Sequence, residues 1–195
     1  MNESYFEVVI GGSFDLMKGF VVGFLEGRGI EGDIFFGEDY HIERESPVGL
    51  LMRLTGTRDK TCTVIVGSGL HKLLTAALEK RRRVIPLHIV KVRQVNAAAF
   101  DILFKTYSKE IGKEINDLLS RLPEGVTRES GFEMHEKFIP EGKGIDAYAP
   151  LHDYELNGKG RISGAVKGVF DLYYRLGRFE VVELEDMELI YGEAL

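Results

Sequence analysis

Apolar and polar positions switch between two periods along the chain. Tyr5 to Ile10 is an apolar run of strand character, broken by Gly11-Gly12-Ser13. Ser13 suits a helix N-cap, and Phe14, Met17, Val21, Phe24 and Leu25 recur at helical spacing up to the stop signals Gly27 and Gly29. Strand character returns from Asp33 to Arg44 and ends at Ser46-Pro47. The group Leu50 to Leu54 fits a strand, a helical turn or a loop equally well. Thr61 to Val66 predicts a strand, and Gly67-Ser68-Gly69 leads into a helix with Leu70, Leu73, Leu74, Ala77 and Leu78 on one face. Lys80-Arg81-Arg82-Arg83 closes that helix, placing positive charge at the negative end of its dipole.

The run Arg83 to Asn96 at the middle of the chain is rich in β-branched residues and predicts one long strand. After it, Ala97 to Leu122 predicts the longest helix, with Phe100, Leu103, Phe104, Tyr107, Ile111, Leu118 and Leu122 as its stripe. Val126 to Phe138 reads as a strand, Ile139 to Gly144 as a turn-rich loop, and Asp146 to Leu156 as another strand. Asn157-Gly158 is the strongest hairpin signal, predicting that Lys159 to Ile162 folds back on Asp153 to Leu156. Ser163-Gly164 then opens a helix carrying Val166, Val169, Phe170, Tyr173 and Leu176. A last strand, Phe179 to Ile190, has an acidic rim of Glu183, Glu185, Asp186 and Glu188 that discourages edge-to-edge pairing.

Three matches at similar offsets suggest a duplication. Phe14-Asp15-Leu16 matches Phe100-Asp101-Ile102, His41 matches His135, and Ser68-Gly69 with Lys72 matches Ser163-Gly164 with Lys167. Each half then reads strand, helix, strand, strand, helix, strand, which resembles the ferredoxin-like βαββαβ arrangement. The expected fold class is α+β, with two ferredoxin-like halves forming an antiparallel sheet that carries helices on one face. Residues 1–92 make the first half and 84–195 the second, sharing the central strand 84–96 within a single compact unit, 1–195.

Charge and cysteine content narrow the classes. A net charge of −6 offers no broad basic face for nucleic acid. One cysteine, Cys62, excludes an intrachain disulfide framework and a multi-cysteine zinc site, and its strand context predicts a buried thiol. No segment approaches the ~18 apolar residues of a membrane span, and the N-terminus lacks the pattern of a leader, so a soluble, cytoplasmic protein is expected.

Candidate chemistry concentrates between Gly142 and Gly164. A glycine-rich approach to a helix N-terminus presents N–H groups to an anion, and Lys143, His152, Lys159, Gly160, Arg161, Ser163 and Gly164 are the candidate ligand-binding residues. The segment lacks the closing Gly-Lys-Ser/Thr of a phosphate-binding loop and the fingerprint of a dinucleotide fold. The five histidines show no close metal-binding spacing, although His41, His135 and His152 are candidates to converge with carboxylates on a metal. No nucleophile elbow and no Ser/His/Asp order are present, so no catalytic residue is assigned and no cofactor is named. With 12 Phe and 8 Tyr, the chain has aromatics enough to line a cleft or a subunit interface. Helices on one sheet face leave the other to be covered, which predicts self-association as a homo-oligomer. Three readings follow: a regulatory protein binding a small anionic metabolite or nucleotide, a metal-dependent enzyme, and a non-catalytic oligomeric assembly module.

Overall fold

The computed structural model describes residues 4–27, 39–44, 50–56, 61–138 and 153–192. Among them are β1 (Tyr5–Gly11), α1 (Phe14–Glu26), β2 (Asp39–Arg44), β3 (Leu50–Gly56), β4 (Thr61–Gly67), α2 (Ser68–Arg81) and β5 (His88–Thr106). They continue with α3 (Lys109–Ser120), β6 (Val126–Arg128), β7 (Glu133–Phe138), β8 (Tyr154–Gly164), α4 (Val166–Leu176), β9 (Val182–Leu184) and β10 (Glu188–Tyr191). The fold is α+β, with antiparallel strand pairing and four helices among the described residues. No helix among those residues is long and apolar enough to cross a membrane. The chain divides into unit 1, Met1–Asn96 with Tyr191–Leu195, and unit 2, Ala97–Ile190. β5 therefore contributes its first residues to one unit and its last to the other.

In unit 1 the strands run in the order β2-β3-β4-β1-β5. Val8 and Ile10 of β1 and Cys62, Val64 and Val66 of β4 face a core completed by Met17, Phe20, Val21 and Phe24 of α1 and Leu70, Leu74 and Leu78 of α2. The sequence stripes select Met17, Val21, Phe24, Leu70, Leu74 and Leu78; Phe20 joins the core from outside the predicted stripe, and Leu73, inside it, is 45% exposed. The Ser13 hydroxyl accepts from the Leu16 N–H at 3.2 Å, as an N-cap residue does. Cys62 is buried, and burial pushes its thiol pKa up.

Unit 2 runs β9-β5-β8-β6, with β7 also pairing β8. Phe100, Ile102, Phe104 and Thr106 of β5 are buried, while Asp101, Leu103 and Lys105 between them are not. That two-residue period corrects the expected helix Ala97–Leu122: the chain stays extended to Thr106, and α3 starts only after Ser108, whose hydroxyl accepts from the Ile111 N–H. Phe100, Leu103, Phe104 and Tyr107 satisfy helical spacing as readily as strand spacing, and pairing with β8 along Ala98–Thr106 decides for the strand. Phe14-Asp15-Leu16 opens α1 whereas Phe100-Asp101-Ile102 lies inside β5, so that match is not a structural equivalence.

Other local expectations need correction. Asn157-Gly158 makes no hairpin; it lies within β8, where an added Cβ on Gly158 would press on the Phe104 ring and stand 2.9 Å from the Glu133 carbonyl oxygen. The helix expected at Ser163-Gly164 begins at Val166, with Ala165 as its N-cap residue. Val126 to Phe138 divides into β6 and β7 around a turn at Gly131, and Phe179 to Ile190 into turns, β9 and β10. The central strand starts at His88, not Arg83, because residues 82–84 turn out of α2. Leu50–Gly56 is a strand, and the loop expected at 139–144 lies outside the described residues.

Gly112 sits inside α3, where propensity alone favours alanine by about 1 kcal/mol. An added Cβ there would meet the Tyr154 ring, with Cε1 at 2.6 Å and Cζ at 2.8 Å. Gly112→Ala is therefore expected to destabilise by about 1–3 kcal/mol in urea unfolding, the sign opposite to that from propensity. A stabilised variant would show that Tyr154 does not pack against α3.

Candidate functional site

β8 carries most of the residues singled out as anion ligands. Its even positions Tyr154, Leu156 and Ile162 are buried, and its odd positions Glu155, Asn157, Lys159, Arg161 and Ser163 occupy the opposite face. Lys159, Gly160, Arg161, Ser163 and Gly164 are thus strand residues, and the glycines serve packing. Gly160 has φ 154° with the Phe132 Cα 2.8 Å from where its Cβ would stand, and Gly164 has φ 147° with the backbone of Gly125 and Val126 against it. The Ala165 N–H donates to the Gly125 carbonyl at 2.9 Å. The Gly125 carbonyl thus takes the N-cap N–H of α4, one of the donors expected to face an anion.

Arg161 is already surrounded by acid. Its Nη1 lies 3.2 Å from the Asp101 carboxylate, directly across the ladder, its Nε 3.6 Å from Glu129, and its Nη2 pairs with Glu188. The bond to Glu188 is the main influence that raises the guanidinium pKa further. Three carboxylates against one guanidinium leave the cluster with excess negative charge, which repels an anion.

Lys159 has a different setting. It lines a depression of about 310 Å³ on the same face of unit 2, together with Leu103, Lys105, Glu133, His135 and Asn157. Strand register makes the grouping: Asn157 stands opposite Lys105 on β5 and His135 on β7, and Lys159 stands opposite Leu103 and Glu133. Lys159 and Glu133 are 3.6 Å apart and both more than half exposed, so their pairing is worth at most about 1 kcal/mol. The lysine can exchange that partner for a ligand at little cost. The Lys105 pKa is raised, first by its hydrogen bond to Tyr107 and then by Glu155, so the ammonium stays charged. Asn157 donates to Glu155 at 2.8 Å, and Leu103, 52% exposed, adds an apolar floor.

The structure brings together Lys159 and His135, which the sequence assigned to different chemistries. It does not bring Arg161, Ser163 or Gly164 to this depression. Lys143 and His152 lie outside the described residues, and His41 stands in β2 opposite Arg53. Among the described residues no three His, Cys, Asp or Glu side chains are grouped to hold a metal ion.

A buried charged group in unit 1 escaped the sequence reading. Glu7, 9% exposed in its side chain, accepts from Arg93 Nε at 2.8 Å and lies 2.7 Å from Nη2, while the guanidinium stacks 3.6 Å from the Tyr191 ring centroid. Burial, and then a hydrogen bond to Glu7, push the Tyr191 phenol up to about 12. Tyr154, buried and donating to Glu136 at 3.0 Å, is also pushed up to about 12. The available signal was a single acid within the apolar run of β1, whose burial demands a cation on a neighbouring strand.

No family model matches the chain, and no curated protein matches it. Among solved structures it is similar to a crystal structure of an unknown protein from Galdieria sulphuraria, with 13% identity, coverage of 96% of this chain and 98% of that chain, and a TM-score of 0.27. A likeness at that score carries no argument about fold or function.

Two predictions follow from the charged groups. Arg93→Met strands the Glu7 carboxylate and is expected to cost about 2–3 kcal/mol, below the range of a fully buried pair because Arg93 is 37% exposed. Glu7→Gln, which leaves an exposed cation, should cost about 1 kcal/mol or less; chemical denaturation showing the reverse order would sink this account. Neutral Tyr191 and Tyr154 favour the fold, and that contribution is lost as pH rises from the ordinary phenol value of 10.0 to about 12. Ultraviolet titration should show a late phenol that is absent in Tyr191→Phe, and that variant should lose less stability across the same window.

Proposed function

We propose that the chain is a binding or regulatory protein for a small organic anion, taken up in the depression between Lys105, His135 and Lys159 on unit 2. The observation that carries this reading is the meeting of two ammonium groups, the Asn157 amide and an exposed Leu103 side chain in one concave surface of about 310 Å³. That volume lies at the lower end of small-molecule sites, about 300–1,000 Å³, and suits a carboxylate on a compact apolar body. Arg161 takes a supporting part, its three carboxylates holding β8 against β5 and the segments on either side. The ion pairs on this face of unit 2 favour a solvated, ligand-facing surface over one buried by a second copy. A cytoplasmic setting belongs to the same proposal, supported by the single buried thiol.

The proposal includes a duplicated ferredoxin-like design. Unit 1 contains the order β5-β1-β4-β3 with α1 and α2 as its two connections, and unit 2 contains β9-β5-β8-β6 with α3 and α4. Both follow the sequence last, first, third, second that a βαββαβ unit with antiparallel neighbours adopts. β2 is an addition to the first half and β7 and β10 to the second. This supports a seam at Asn96 and Ala97 rather than a strand 84–96 shared in full.

Benzoate and benzamide, which differ in charge and share an apolar ring, separate the electrostatic from the apolar contribution in amide NMR titrations. Benzoate is expected to shift residues 103–105, 133–135 and 157–159, and Lys105→Ala/Lys159→Ala to weaken it at least tenfold without loss of stability. Equal binding of benzamide, or no shift at these positions at millimolar benzoate, would overturn the proposal.

A further inference from the structure

Unit 1 contains a second, larger concavity that shares no residue with the depression on unit 2. It has a volume of about 750 Å³, with Phe20 and Phe24 of α1 on one wall and Leu73 and Ala77 of α2 on the other. Val84 and Ile85, just beyond α2, close one part of it. Most of the lining is apolar, and parts face solvent: Val84 is 85% exposed and Leu73 is 45% exposed.

Among the described residues two charged side chains lie on the lining, Lys80 and Arg81, both in the last turn of α2. Among the described residues neither has an ion-pair partner, whereas their neighbour Arg82 pairs with Glu79 at 3.5 Å. The Arg81 carbonyl, which would otherwise oppose an anion at this helix end, already accepts from the Val84 and Ile85 N–H groups at 2.9 and 3.0 Å. Gly23 lies on the α1 wall, and a Cβ built there, as at Gly19 elsewhere on α1, meets no described atom within 4 Å, so a larger side chain at Gly23 would extend into the groove. The space above it belongs to the groove.

An apolar trough with two cations that no described carboxylate pairs is complementary to one kind of molecule, a chain that is apolar along its length and anionic at its head. We propose that this groove binds a monomeric amphiphilic anion, an aliphatic chain lying between α1 and α2 with its carboxylate at Lys80 and Arg81. The site is independent of the anion depression on unit 2, and either can fail without the other.

The test titrates the full chain with decanoate below its micelle concentration, using calorimetry. Saturable one-to-one binding is expected, with octanoate, two methylenes shorter, weaker by about fifteenfold, since each buried methylene changes affinity about fourfold. Decyltrimethylammonium should bind at least tenfold more weakly than decanoate, and Lys80→Glu/Arg81→Glu should invert that preference. Gly23→Leu, which extends into open space, should abolish decanoate binding while leaving the melting temperature unchanged or raised. Equal affinity for the two head groups, no saturable decanoate binding, or unchanged binding in Gly23→Leu overturns the proposal. Gly23→Leu converting a dimer to a monomer without any effect of decanoate would assign the groove to a second copy and also overturn it.

Discussion

The constraint on which this structure depends is the pairing of β5. A strand of 19 residues carries N–H and C=O groups that must find partners wherever they leave water. β5 meets this demand with β1 along its first part and with β8 and β9 along its last. Its side chains keep a two-residue period through Phe100, Ile102 and Phe104, which fixes the core face of unit 2 and leaves Asp101, Leu103 and Lys105 on the other face. A slip of one residue would bury Asp101 and Lys105 and expose two phenylalanines, so register and core composition enforce each other.

Charge satisfaction then separates the basic residues of β8 from one another. Arg161, the most basic of the residues first considered, faces Asp101 across the ladder and is enclosed by Glu129 and Glu188 as well. Such a guanidinium organises strands and has little left to offer a ligand. Lys159 is the poorer structural element for the same reason that it is the better candidate for binding: its partner Glu133 is exposed and cheaply exchanged. Glu7 represents the opposite case in unit 1, a buried carboxylate that its cation cannot leave without stranding it.

Both proposed sites follow from the gap between what packing requires and what is present. Glycines at 112, 158, 160 and 164 are filled against neighbouring rings or backbone and need no ligand to account for them. Gly23 differs from these in having no described atom within 4 Å of an added Cβ, as at Gly19, and it lies on the lining of the groove. Lys80 and Arg81 are likewise cations whose charge no described carboxylate balances, on the lining of a concavity that is otherwise apolar.

The local pattern of the sequence was sufficient for β1, α1, β4, α2 and the Ser13 cap, because there the periodicity and the stop signals agree and each element is short. It was sufficient for the α+β class, and for the buried state of Cys62. It misread Ala97 to Thr106, whose spacing of Phe100, Leu103 and Phe104 satisfies both periods, and it misread Asn157-Gly158, whose turn propensity is overridden by ladders on both sides of β8. Tertiary structure alone decided those cases, because a β-strand is chosen by hydrogen-bond partners that are distant in sequence, here some 60 residues away at Asp101 and Arg161. The proposed site was legible only in its ingredients. Lys159 and His135 were visible as residue types, but their meeting with Lys105 depends on three strands coming into register, and a one-dimensional pattern does not encode which residues stand side by side across a sheet.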